Sequence, residues 1–264
     1  TLKKTNHLYN DWSTGQSYNG NGINVMLQDD GVIGPHIDYQ GRTIQYITTT
    51  TGVHGDHVGG TIMGGGNLNP LHRGMAWGAT VHVYDANDNN YNIVPTIYNN
   101  NNIVITSKSY AQTCNGGYTA ICSQLDKQLN DFPYLQHFFS AGNTGTNNCG
   151  YGAGPTWGNI TGGHKSAKNT LAVGNTTYDG VIAPSSSRGP ATDGRIKPDI
   201  CAKGTDVTST TTAATDPSQY ITYTGTSMSC PMASGTMAVL YEAFQKNNGG
   251  KMPYNALMKA IKMN

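Results

Sequence analysis

The stretch INVMLQDDG, residues 23–31, is an apolar, β-branched run that stops at two aspartates and a glycine. Such a run predicts a buried strand, and its period of two puts Ile23, Val25, Leu27 and Asp29 on one face and Asn24, Met26, Gln28 and Asp30 on the other. Asp29 is expected to point inward at the carboxyl end of the strand. An inward carboxylate needs a partner to offset its desolvation, and a histidine N–H would serve. An Asx turn closing the strand is the competing reading.

Similar runs recur outward from this one, in LHRGMAWGATVHVYDA (71–86), NNIVITSKSY (101–110), LQHFFSAGN (135–143) and NTLAVGN (169–175). Between them, HVGGTIMGGG (57–66), CSQLDKQLNDF (122–132) and PMASGTMAVLYEAF (231–244) have helical spacing. Strand-then-helix alternation predicts an α/β fold with a mainly parallel central sheet and helices on both faces. The Asn- and Thr-rich stretches NDNNYN (87–92), YNNNNI (98–103) and TSTTTAATD (208–216) read as solvated loops within one domain. In such a sheet, active groups collect beyond the carboxyl ends of the strands, where Asp29 lies.

Charged residues make up 12% of the chain and the formal net charge is +1, so neither nucleic acid nor a polycation is an expected partner. The longest apolar runs, such as TMAVLYEAF, fall short of the roughly 20 residues that span a bilayer. The chain starts at Thr1 without a leader, which reads as a mature form. The five cysteines show no metal-ligand spacing. Cys114 and Cys122 bracket a Gly-rich loop and are the expected disulfide, with Cys149 as the rival partner and five reduced thiols as the plain alternative. A bridge would imply an oxidising compartment.

Two further stretches carry chemistry. His54, in VHGDHVGGTIMGGG, heads a helical run. His54 and His57 lack the i, i+4 spacing and the Glu of a zinc H-E-x-x-H motif. Ser227, in GTSMSCPMASG (225–235), stands at the start of another helix, with Pro231 expected in the first turn, where a missing N–H costs little. Backbone N–H groups and the positive dipole end there suit a developing oxyanion, whereas the plain reading is an ordinary Ser N-cap.

The order Asp29, His54, Ser227 is the subtilisin order of triad residues. The chain resembles the subtilisin-like serine proteases, the subtilases, through VMLQDDGVIGPHID, HGDHVGGT, SAGNTG, SSRGPATDGRIKPDI and GTSMSCPMASG. The resemblance implies a subtilisin-like three-layer sandwich over residues 1–264, lacking C-terminal elements. It implies a secreted endopeptidase of broad specificity, with Asp29, His54 and Ser227 as the triad and Asn143 in the oxyanion hole. It implies that Ser107, Lys108, Ser109, Tyr110 and Ala111, with Ser140, Ala141 and Gly142, bind substrate backbone, and that CGYGAGPTWGNITGGH (149–164) helps line the pocket. Peptide substrates, a removed pro-segment or a C-terminal remainder are the implied partners. No cofactor is required for the chemistry. Calcium is common in the family, and Asp38 matches a position that often binds it, but the remaining ligands do not transfer. The family threonine of H-G-T-H is Asp56 here, and its A-P-G is Ala202-Lys203-Gly204. A serine esterase would show G-x-S-x-G instead, and a pseudoprotease that only binds peptides is the other alternative.

Overall fold

The computed structural model describes residues 5–10, 16–47, 52–86, 91–110, 114, 117–145, 147–150, 158–160, 163–212 and 216–264. In chain order the elements are α1 (Asn6–Tyr9), β1 (Asn24–Asp29), β2 (Thr43–Gln45), α2 (His54–Met63), β3 (Thr80–Asp85), α3 (Val94–Asn101), β4 (Ile103–Lys108), α4 (Ala120–Asp131), β5 (Gln136–Ser140), β6 (Leu171–Thr176), β7 (Ile200–Lys203), β8 (Val207–Thr211), β9 (Gln219–Tyr223), α5 (Thr226–Asn247) and α6 (Asn255–Met263). Strands β1 to β7 form one parallel sheet in the order β2-β3-β1-β4-β5-β6-β7, and β8 pairs antiparallel with β9.

The alternation read from residues 23–31 is the one built. Val25 and Leu27 join the core that includes Val58 and Ile62 of α2 and Met228 and Met237 of α5. Met26 joins Tyr84, Ile97 and Ile103 on the opposite face. Helices α2 and α5 thus cover one face and α3 the other. Strand order reverses at β1, which lies between β3 and β4, so the crevice beyond the carboxyl ends of β1 and β4 is the topological switch point.

Helix α2 is short of apolar bulk but rich in glycine, and that lets it approach its neighbours. A Cβ at Gly60 would collide with Thr210 of β8. Glu242 ties the far half of α5 to the turn before β1: its Oε2 accepts the N–H groups of Asn19 and Gly20 at 2.6 Å and of Asn21 at 3.2 Å. The element carrying Ser227 is thereby anchored to the element carrying Asp29.

Three expectations are corrected. The bridge joins Cys114 to Cys149, with Cα atoms 5.5 Å apart, and not to Cys122. Cys122 faces inward from α4 against Tyr91, Leu125 and Phe139, and its thiol donates to the Gly163 carbonyl at 2.9 Å, so the helix periodicity turns it away from Cys114. The Asn-rich segment 98–103, expected as a loop, is mostly helix α3, because Val94 and Ile97 are one turn apart and both buried, while residues 87–90 of the other Asn-rich segment lie outside the described residues. Much of the Thr-rich segment is strand β8, where β-branched side chains pair with β9 and pack under α2.

Candidate active site

Asp29 ends β1 facing the α2 and α5 side, and His54 begins α2. His54 Nδ1 lies 2.6 Å from Asp29 Oδ1, with the imidazole 34% exposed and the carboxylate 3% exposed. Asp29 Oδ1 also accepts the Asp30 N–H at 2.9 Å, while the buried Oδ2 has no hydrogen-bond partner. Burial pushes the Asp29 carboxyl up and His54 pulls it back. For His54, burial alone would lower the pKa, but the hydrogen bond and charge of Asp29 and the charge of Asp30 outweigh it, so the ring sits above the usual imidazole range. His57 has a different fate. Its Nε2 meets the Val207 carbonyl at 2.9 Å, and burial pushes its pKa down to about 4, so it is a neutral structural residue.

Ser227 is the second residue of α5 and not its N-cap, which is Gly225, and the Ser227 N–H has no intrahelical acceptor. Pro231 is therefore the sixth helical residue and lies beyond the first turn. A residue with an N–H at 231 would bond the Ser227 carbonyl. Proline leaves that carbonyl free, and it accepts the Ser109 hydroxyl at 2.9 Å. In return the Ser227 hydroxyl donates to the Ser109 carbonyl at 2.8 Å. This reciprocal pair joins the end of β4 to the start of α5. Ser227 Oγ makes no hydrogen bond to His54 Nε2, its hydroxyl being given to Ser109.

Asn143 stands between β5 and α5. Its Oδ1 accepts the Thr226 N–H at 2.9 Å and the Thr226 hydroxyl at 3.0 Å, which directs its Nδ2 donor away, alongside Gly225. Thr226 does not stand out in the sequence as a functional residue, although its place beside the serine at a helix start is the signal that finds it.

The expected substrate-binding residues occupy the ends of β4 and β5. The Tyr110 carbonyl accepts the Ser140 hydroxyl at 3.3 Å, Ala141 N–H bonds Val173 across to β6, and Gly142 N–H bonds the Thr226 hydroxyl at 3.1 Å. Ser107 is buried against α5, where Ser234 donates to it at 3.0 Å. Lys108 points to the other face of the sheet: its Nζ is 4.0 Å from the Tyr91 ring centroid without a hydrogen-bond partner, and desolvation holds its pKa well below the usual lysine value. Its side chain is not available to a substrate above β4. Ala111, residues 151–157, and residues 161 and 162 of the expected pocket stretch lie outside the described residues.

Asp56, in place of the family threonine, is buried. Its carboxylate accepts the Gly34 N–H at 2.6 Å and the Thr212 hydroxyl, latching α2 to the loop after β1 and to β8. Asp38 likewise has both oxygens taken, by Asn67 N–H and the Tyr220 hydroxyl, each at 2.8 Å. Calcium takes six to eight oxygens, and among the described residues no group of three or more His, Cys, Asp or Glu side chains could hold a metal ion.

The chain matches the subtilase family over residues 20–264, and it belongs to that family. It is a serine endopeptidase of subtilisin-like α/β fold. Similar solved structures include the Clostridium perfringens CspB protease, at TM-score 0.75 and 15% identity, with 92% of this chain and 88% of that one covered. The prenylagaramide maturation protease PagA aligns at TM-score 0.65 and 20% identity, covering 91% and 81%. A cold adapted subtilisin-like serine proteinase aligns at TM-score 0.64 and 20% identity, covering 92% and 81%. Among the described residues, no helix is long and apolar enough to cross a membrane.

Proposed function

We propose that the chain cleaves peptide bonds through Asp29, His54 and Ser227 by way of an acyl-enzyme, and that it does so outside the cell. The observation that carries this reading is the 2.6 Å contact of His54 with a buried Asp29 at the switch-point crevice that α5 enters with Ser227. His54 Nε2 takes the Ser227 proton as Oγ attacks the scissile carbonyl, and Asp29 holds Nδ1–H and stabilises the imidazolium. The protonated ring then gives its proton to the leaving amine, and water repeats the sequence to release the acid. Extended substrate pairs with the backbone at Ser109 and Tyr110, a mode that tolerates many sequences, whereas the N–H and carbonyl groups of Ala141 and Gly142 are already bonded within the protein. The Cys114–Cys149 bridge favours an oxidising compartment.

Intact mass before and after a fluorophosphonate probe tests the assignment. Labelling mapped to Ser227 and lost in His54→Ala supports it; a folded protein that stays unlabelled refutes it.

Asn143 Nδ2 and the Ser227 N–H are the proposed oxyanion donors. Both are fixed before reaction, one by Thr226 and the other by the helix start. Asn143→Ala is expected to lower kcat by about 10²–10³-fold with little change in KM, a magnitude known from a subtilisin asparagine. A loss confined to KM would assign Asn143 to ground-state binding.

The pH dependence follows from the sign of the His54 shift. The base works only when neutral, and its pKa is raised, so kcat/KM falls as pH drops through a value above the usual imidazole figure of about 6.5. An acid limb centred below that figure would contradict the Asp29–His54 pairing as the source of the shift.

A further inference from the structure

The carboxylate next to the triad aspartate has its own contacts with the histidine residue. Asp30 Oδ1 accepts the Gly55 N–H at 2.7 Å, and Asp30 Oδ2 accepts the His54 N–H at 3.2 Å. Helix α2 needs such an acceptor, since its N-cap residue is Val53 and no side chain caps it locally. The cap comes instead from the segment that follows β1. Gly52, at φ +85°, makes room for it, because a Cβ there would overlap the Asp30 carboxylate. On an extended chain, consecutive side chains diverge. Asp29 therefore reaches the imidazole of His54 while Asp30 reaches the backbone of the same residue.

We propose that Asp30 is a positioning residue for catalysis: its carboxylate grips the first two N–H groups of α2 and so fixes the Cα of His54 relative to Asp29 and Ser227. This rests on His54 being the general base. Without Asp30, the start of α2 would be held by the Asp56 latch two residues on and by the contact of the ring with Asp29; neither bonds the His54 backbone, and the ring could rock about its one hydrogen bond. Two further bonds to the backbone remove that freedom, and misplacement of a base by a fraction of an ångström is enough to slow proton transfer.

Asp30 also adds a second negative charge beside the ring. The titratable groups around His54 are Asp29 and Asp30 from β1 and its extension, with Asp56 and the neutral His57 farther along α2. Tyr110, from the end of β4, faces Asp29. The first turn of α5 carries no acid. Removal of the Asp30 charge is therefore not masked by a neighbouring carboxylate on α5.

The experiment compares the full chain with Asp30→Asn and Asp30→Ala on a peptide amide substrate, recording kcat, KM, the pH dependence of kcat/KM, thermal stability and fluorophosphonate labelling. Asparagine keeps one acceptor oxygen and sets an N–H against the other backbone donor; alanine keeps neither. The expected result is a kcat lowered by about 10-fold or more in Asp30→Ala and less in Asp30→Asn, with KM nearly unchanged. In both variants the acid limb moves to lower pH, because a charge favouring the imidazolium is gone. If Asp30→Ala does not fold, Asp30→Asn decides alone. A folded Asp30→Asn with wild-type kcat and an unmoved acid limb overturns the proposal, even if its melting temperature falls, since that is what a plain helix cap would give. An effect confined to KM also overturns it and makes Asp30 a substrate contact. Each of these results is read against a wild type that cleaves and labels at Ser227. A wild type that does neither removes the general-base assignment, and this proposal with it.

Discussion

Ser227→Ala is expected to lower kcat by about 10⁶-fold, the loss known for a subtilisin nucleophile, and to fold as the wild type does. Alanine removes the attacking oxygen, and the neighbouring Ser109 hydroxyl cannot replace it, being committed to the Ser227 carbonyl. The cost to stability is small because the missing group makes one hydrogen bond, to the Ser109 carbonyl at 2.8 Å, worth about 1 kcal/mol net. Steady-state hydrolysis of a peptide amide together with a thermal melt checks both halves. Residual activity within about tenfold of wild type in a well-folded variant would sink the assignment of the nucleophile. The Ser109–Ser227 pair also means that the resting hydroxyl is turned away from the base. A substrate N–H that pairs with the Ser109 carbonyl would take over that acceptor as the hydroxyl swings to His54.

Asp29→Asn is expected to cost about 10⁴ in kcat, the size of the same change in a serine protease of another fold. Either orientation of the new amide fails. With its nitrogen toward the ring, it holds the wrong tautomer of His54. With its oxygen toward the ring, its NH₂ falls at the buried Oδ2 position, which has no hydrogen-bond partner, and the charge that stabilises the imidazolium is gone. The His54 pKa must fall in this variant, since Asp29 is its strongest upward influence. Titration of the ring by NMR, alongside kcat, separates this from simple unfolding. A variant that keeps roughly a tenth of wild-type activity would show that Asp29 does not orient the base.

Part of this arrangement is legible in the residues alone. The period-two run through Val25 and Leu27 puts Asp29 on the inner face, and the strand is β1 with that phase. The long helix after Ser227 and the helix after His54 are legible from apolar spacing and glycine content. Segments whose residues are individually weak signals are not. Asparagines in α3 and threonines in β8 have low or ambiguous propensity, and their elements form because a few apolar or β-branched side chains find tertiary neighbours. Cysteine pairing is undecided for a similar reason: spacing fixes loop length, while helix phase decides which thiol faces its partner.

The sequence by itself determined the α/β alternation, the face of Asp29 and the identity of the three residue types that resemble the subtilase triad, because these depend on local period and on short motifs. Only the tertiary structure decided that His54 meets Asp29 while His57 turns to Val207, that Pro231 frees a carbonyl for Ser109, that Thr226 aims the amide of Asn143, and that Asp30 caps α2 from a different element. Each of these is a hydrogen bond between groups far apart in the chain, and such partners are fixed by which elements the sheet order brings together at the switch point, not by the residues on either side of each group.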